Sequence, residues 1–187
     1  MNLPFLKRRR LAQQIEGYYD DMLRLAMSWC RDANLARDLV QQTASIALSR
    51  MDQLRDEKAL KSWLFTIMNR CFVDCKRVEA RRQFVPVEDH TEIDECGPQE
   101  RLEQSREVER VRMALAEISD DHRRIITLVD IEGYSYREVS EILEIRIGTV
   151  MSRVSRARSQ LKQLLLKETT RERGGEKSGR AALRRVK

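Results

Sequence analysis

Several residue types and patterns are scarce in this chain of 187 residues, and each scarcity excludes something. Glycine occurs seven times and proline three times, so little in the sequence forbids long helices. No strand-period alternation of useful length and no internal repeat is present. Aromatic residues make up 5% of the chain against 35% charged residues, too little apolar bulk for one large core; two small helical cores fit better. No apolar run approaches the ~20 residues a membrane span requires, and the basic start MNLPFLKRRR is not followed by an apolar stretch, so no membrane insertion is expected. His90 and His122 are the only histidines. The four cysteines, Cys30, Cys71, Cys75 and Cys96, form no CxxC pair. Cys71 and Cys75 share a helix face, but zinc would need two more ligands; ordinary reduced thiols in a cytoplasmic protein, with no metal and no cofactor, are the expectation. No phosphate loop, metal cluster or nucleophile–base pairing is visible, so no catalytic residue is assigned and an enzyme is not expected.

The charge that is present is unevenly placed. Lys and Arg total 36 and Asp and Glu 30, a mild formal excess of +6. Residues 84–109 hold nine acids against two bases, residues 69–82 five bases against two acids, and residues 146–162 five bases with no acid. Two basic islands therefore flank an acidic spacer, an arrangement that can hold an extended polyanion at two points. The acidic stretch 86–99 carries two prolines and a glycine and reads as a mobile linker. The segment from 169 onward, rich in Arg, Lys and Gly, reads as a disordered basic tail.

Helical spacing marks both halves. In the first, Tyr19, Met22, Leu23, Ala26, Met27 and Cys30 share a face, as do Leu39, Thr43, Ile46 and Ala47 of a second helix. A third helix over 59–82 has Leu60, Trp63, Leu64, Ile67, Cys71, Cys75 and Val78 at steps of three and four. Trp63 could stack on a base, but its place in this series favours core packing. In the second half, Ser119 stands as N-cap of a helix over 120–131 that ends at Gly133. Ser135 and Glu138 form a capping-box pattern opening a short helix to Leu143, and a turn over 144–146 leads into a long helix over 147–166. A short helix, a tight turn and a longer basic helix make a helix-turn-helix over about 135–154. On the last helix, Ile147, Val150, Val154, Ala157, Leu161 and Leu164 share one face, with Thr149, Ser152, Arg153, Arg156 and Gln160 opposite. A solvated face ordinarily mixes signs. One bearing hydroxyls, an amide and arginines without a carboxylate suits phosphates and guanine edges.

These residues carry a resemblance. GYSYREVSEIL at 133–143 and IGTVMSRVSRAR at 147–158 resemble region 4 of extracytoplasmic-function sigma factors of the sigma-70 family. ARDLVQQT at 36–43 is similar to their region 2.2, and WLFTI at 63–67, with Asp74 and Arg77 beyond, to regions 2.3 and 2.4. The resemblance implies an all-α protein of two small domains, a three-helix region 2 bundle and a region 4 helix-turn-helix, joined by a flexible acidic linker. The implied division is a basic N-terminal extension over 1–14, region 2 over 15–82, a linker over 83–107, region 4 over 108–167 and a tail over 168–187.

The implied partners are core RNA polymerase, through its β′ clamp and β flap, promoter DNA, and an anti-sigma factor. By position, −35 recognition falls to Arg146, Thr149, Met151, Ser152, Arg153 and Arg156, with Arg158 nearer the phosphates. Contact with the −10 element falls to Asn69, Arg70, Lys76, Arg77, Arg81 and Arg82, and docking on polymerase to Asp38, Leu39, Gln41 and Gln42. Five positions depart from the family pattern. Many relatives have Arg-Asn where this chain has Asn69 and Arg70. The turn often holds Gly where Glu144 stands, and the cap often holds Ser where Arg146 stands; Arg is a poor N-cap, at a cost of about 1 kcal/mol. Met151 stands where a basic residue is common. The rival readings are a dimeric helix-turn-helix regulator acting without polymerase, an enzyme, and an adaptor without DNA contact.

Overall fold

The chain forms helices where the apolar spacing predicts them, and two that the spacing does not name, over Leu3–Gly17 and Leu102–Glu117. The computed structural model describes residues 3–30, 32–54, 56–82 and 102–183, with side chains described between 8 and 81 and between 108 and 167 within those spans. The first group is α1 (Leu3–Gly17), α2 (Tyr19–Trp29), α3 (Ala33–Ser49) and α4 (Leu60–Arg82), with two short 3-10 turns between α3 and α4. The second is α5 (Leu102–Glu117), α6 (Asp120–Ile126), one π-helical turn (Thr127–Ile131), α7 (Tyr136–Leu143) and α8 (Ile147–Leu183). No strand occurs among the described residues.

Local chemistry sets the helix starts. The Asp32 side chain accepts from the amides of Asn34 and Leu35 at 2.6 and 3.0 Å and opens α3, and Ser119 accepts from the His122 amide at 3.4 Å and opens α6. Helix α1 occupies part of the stretch read as a basic extension. Its Leu11 and Ile15, one turn apart, are buried beside α2 and α3. That two-residue stripe is outweighed in the sequence by the arginines before it. Of the linker expected over 83–107, residues 83–101 lie outside the described residues; the chain is helical from Leu102. Helix α8 continues to Leu183, beyond the predicted stop near 166.

Helix α4 is buried on more than one side, because it packs against α3 and against α7 of the second group. Leu60, Leu64, Ile67 and Cys71 of the predicted series are buried, and so are Phe65, Met68 and Phe72, which that series omits. Cys75 and Val78, at its far end, are exposed. Each fully buried leucine or phenylalanine contributes about 1.5–3 kcal/mol. Ile125, Leu128, Val139, Ile142, Leu143, Val150 and Val154 join the core of the first group in one continuous cluster. Leu115, Ile118, Ile126 and Ala157 form a smaller one under α5 and α8.

Candidate nucleic-acid and polymerase interfaces

The helix-turn-helix is built from its caps upward. The Ser135 hydroxyl accepts from the Glu138 amide at 3.3 Å, and the Glu138 carboxylate accepts from the Ser135 amide at 2.8 Å, closing the capping box. The Ser135 hydroxyl also donates to that carboxylate at 2.7 Å, and this bond together with the one from the Ser135 amide holds the Glu138 carboxyl below its ordinary value. At the far end of α7, Glu144 is left-handed (φ 56, ψ 41), the conformation usual for a helix stop and least strained for glycine. The Ser140 hydroxyl donates to the Ile145 carbonyl at 2.7 Å and secures the turn. Helix α8 then starts with the Arg146 carbonyl accepting from the Thr149 and Val150 amides at 2.8 and 3.1 Å.

Along α8, Val150, Val154 and Ala157 are buried, as the wheel predicts, whereas Ile147 in the first turn is exposed. Arg146, Met151, Ser152, Arg156 and Arg158 are exposed, and Thr149 and Arg153 half-buried. Two of the arginines meet acids from the preceding segment. Arg153 lies 2.9 Å from Asp121, and Arg158 makes two hydrogen bonds to Asp130 at 3.1 and 2.5 Å, which raise its guanidinium further above its ordinary value.

Helix α4 brings the −10 candidates onto one helix but not into one environment. Arg77 pairs with Asp74 at 3.5 Å and both are exposed, as is Arg81; the Arg82 side chain lies outside the described residues. Lys76 reaches Glu79 at 2.8 Å and Asp120 at 3.6 Å. Asn69 is only 4% exposed and accepts a hydrogen bond from Arg124. Arg70 forks onto the carboxylate of Glu144 at 2.9 and 2.5 Å, which keeps Glu144 below and Arg70 above their ordinary values. Two departures from the family pattern, at 70 and 144, thus meet each other.

On α3, Asp38, Gln41 and Gln42 are exposed side by side. Leu39 is 3% exposed and belongs to the core cluster, which corrects its assignment to the docking surface: its side chain is spent on packing and is not presented beside those neighbours. Trp63 is half-buried against the core. Burial pushes the Cys30 thiol up to about 12, and Cys71 is buried and also raised by desolvation, while Cys75 is exposed. Cys96 lies outside the described residues, and no metal-holding cluster occurs among the described ones.

Sequence reasoning missed the residues that join the two groups. The Trp29 indole donates to the Thr127 hydroxyl at 2.8 Å. Arg123, 2% exposed, donates to the carbonyls of Leu115, Ala116, Ile118 and Trp29. Arg124 lies over the Phe72 ring at 5.3 Å, and Phe65 meets Tyr134 edge-on at 5.9 Å. Burial pushes the Tyr134 phenol up to about 12. Lys61 bridges Asp21 and Glu132 at 2.9 and 3.1 Å; burial opposes its charge, but these hydrogen bonds outweigh it and hold it above its ordinary value. Two adjacent arginines after a helix cap are the only sequence trace of this interface.

The order of these parts is that of a known family. Residues 14–82 match Sigma-70 region 2, and residues 108–161 match Sigma-70, region 4. The chain belongs to the sigma-70 family. Its relatives place it in the extracytoplasmic-function subgroup. It is 34% identical over 158 residues to the ECF RNA polymerase sigma factor EcfG of Rhodopseudomonas palustris (strain TIE-1), covering 84% of this chain and 86% of that one. It is 28% identical over 159 residues to the RNA polymerase sigma factor YlaC of Bacillus subtilis (strain 168), covering 83% and 92%. Among solved structures it is similar to the sigma factor RpoE of Bartonella quintana, determined in complex with the anti-sigma factor NepR. That match has a TM-score of 0.66 and 30% identity, and covers 82% of this chain and 94% of the other. This sigma factor directs promoter-specific transcription initiation.

Proposed function

We propose that Asp38, Gln41 and Gln42 dock this sigma factor on the clamp coiled coil of polymerase, while region 4 also meets the β flap. The observation that carries the DNA part is the outward face of α8, where Met151, Ser152 and Arg156 are exposed and no carboxylate interrupts residues 146–162. Side chains of this kind entering a major groove from a capped helix-turn-helix read base edges through Arg and hydroxyls, with Arg146 and Arg158 toward the phosphates. On α4, Arg70, Lys76, Arg77, Arg81 and Arg82 form a track for the non-template strand of the −10 element, and Asn69 meets a base. An exposed acid among amides suits a basic coiled coil. The protein supplies binding energy and strand capture and does no nucleotide chemistry itself. It acts in the cytoplasm, and an anti-sigma factor of the kind bound to its Bartonella relative holds it inactive.

Run-off transcription with purified core polymerase on genomic fragments tests this reading. Discrete transcripts that need the sigma factor, and that vanish with Arg153→Glu/Arg156→Glu, support it. A chain that joins core polymerase yet initiates nowhere contradicts it.

A further inference from the structure

We infer that Ile147 and Met151 are specificity-determining residues of promoter recognition, selecting thymine by contact with its 5-methyl group. This rests on the −35 reading of α8 in the proposed function, and adds to it an apolar contact and the base that supplies it. The observation that carries it is an apolar pair left uncovered at the start of α8. By spacing, Ile147 belongs to the buried face with Val150, Val154 and Ala157, yet it is 49% exposed, and Met151, one turn on, is 55% exposed. A single exposed apolar side chain is ordinary. These two stand at i and i+4, so their side chains adjoin on one flank of the helix. Beside them, Ser152 is exposed and a side chain at Gly148 would meet only open space. The first two turns of α8 therefore present an apolar ridge next to a bare backbone step and a hydroxyl.

The place of the ridge decides what it meets. A recognition helix enters the major groove with its N-terminal residues against the base edges. Ile147 is the first residue of α8, and Met151 lies in the second turn. The turn before them is held by the bond from the Ser140 hydroxyl to the Ile145 carbonyl at 2.7 Å, so the ridge sits on a fixed backbone. Base edges in that groove offer hydrogen-bond donors, acceptors and one apolar group, the methyl of thymine. An aliphatic side chain and a thioether pressed on a guanine, adenine or cytosine edge desolvate polar atoms and return no adequate hydrogen bond. Pressed on a methyl, they remove apolar surface from water on both sides. The two side chains divide the work: Ile147 is stiff at its first torsion, and Met151 is unbranched and adapts to where the methyl stands. Ser152 and Arg156, both exposed further round the helix, supply the polar contacts.

A promoter fragment that yields a transcript in the run-off assay is prepared in two forms. One carries thymine; the other carries deoxyuridine in its place throughout the −35 element on both strands, which removes the methyl groups and keeps the pairing. Binding of each duplex by holoenzyme is titrated with wild type, Ile147→Ala/Met151→Ala and the conservative Ile147→Val/Met151→Leu. Both positions are exposed and alanine is the best helix former, so the variants keep the fold. Wild type is expected to bind the deoxyuridine duplex about fourfold more weakly for each methyl in contact, the effect of withdrawing one methyl-sized group from apolar contact. The double alanine variant binds the thymine duplex more weakly by the same factor and no longer distinguishes the two duplexes, whereas the conservative variant still does. A double alanine variant as discriminating as wild type, or a −35 element made of G·C pairs alone, overturns the inference. So does a double alanine variant that loses affinity for core polymerase and keeps its discrimination, which makes the ridge a protein contact. Wild-type holoenzyme that binds tightly and ignores the methyls overturns the thymine contact and leaves the −35 reading standing; holoenzyme that binds no promoter duplex overturns that reading itself.

Discussion

Arg123 takes a charge into a place where charge is costly and makes it useful. Its guanidinium closes the carbonyl end of α5 through Leu115 and Ala116, reaches Ile118 beyond, and closes the end of α2 through Trp29, with Asp120 beside it at 3.2 Å. Removing one partner from a buried ionic cluster leaves the others unmatched, so Arg123→Ala is expected to lose about 3–5 kcal/mol in denaturant unfolding. Lysine offers its donors from a single nitrogen and restores only part of this. An Arg123→Ala variant as stable as wild type contradicts the role. On the face of α8 proposed to meet DNA, Arg156 is exposed. Arg156→Ala is expected to weaken holoenzyme binding to a matched −35 element about tenfold, measured by titration against labelled promoter DNA. A loss equal on all sequences moves Arg156 from base contact to phosphate contact.

At the scale of elements, α7 and α8 were the most legible parts, because their signals are local. A cap, a capping partner three residues on, and an apolar series at steps of three and four all lie within one segment. Ser135→Ala is expected to cost about 1 kcal/mol of stability, read by chemical denaturation. The pH dependence follows from Glu138, whose folded-state value lies below its ordinary 4.5 because of its bonds to Ser135. Its contribution is complete above about pH 4.5 and is lost as pH falls through the lower folded value, so the difference between Ser135→Ala and wild type shrinks in acid. A difference that grows in acid contradicts the capping box. Helix α4 was legible on one side only: its series named Leu60, Leu64 and Ile67 but not the buried Phe65, Met68 and Phe72, of which Phe65 meets Tyr134 and Phe72 meets Arg124 from the other half of the chain. The π turn at Thr127–Ile131 left no trace, because one extra residue in a turn does not disturb apolar spacing over so short a stretch. That turn carries Thr127, the partner of Trp29, and leads into Glu132, the partner of Lys61.

At the scale of the molecule, the two sigma regions were readable as separate modules and their packing was not. Spacing within each half names the residues that are buried, as Val150, Val154 and Ala157 illustrate. A contact between residues about a hundred positions apart, such as Trp29 with Thr127, has no local signature. The same holds for the site: the basic residues of α4 and α8 were visible as charges, but their pairing with Asp120, Asp121, Asp130 and Glu144 depends on the tertiary arrangement. In the proposed function, recognition and docking lead to melting of the promoter DNA. Permanganate reactivity of thymines is measured on genomic promoter fragments mixed with core polymerase and this chain. Reactive thymines near the start site are predicted only when sigma factor, core polymerase and DNA are all present. Thymines that stay unreactive on every fragment bound by the complex would contradict it.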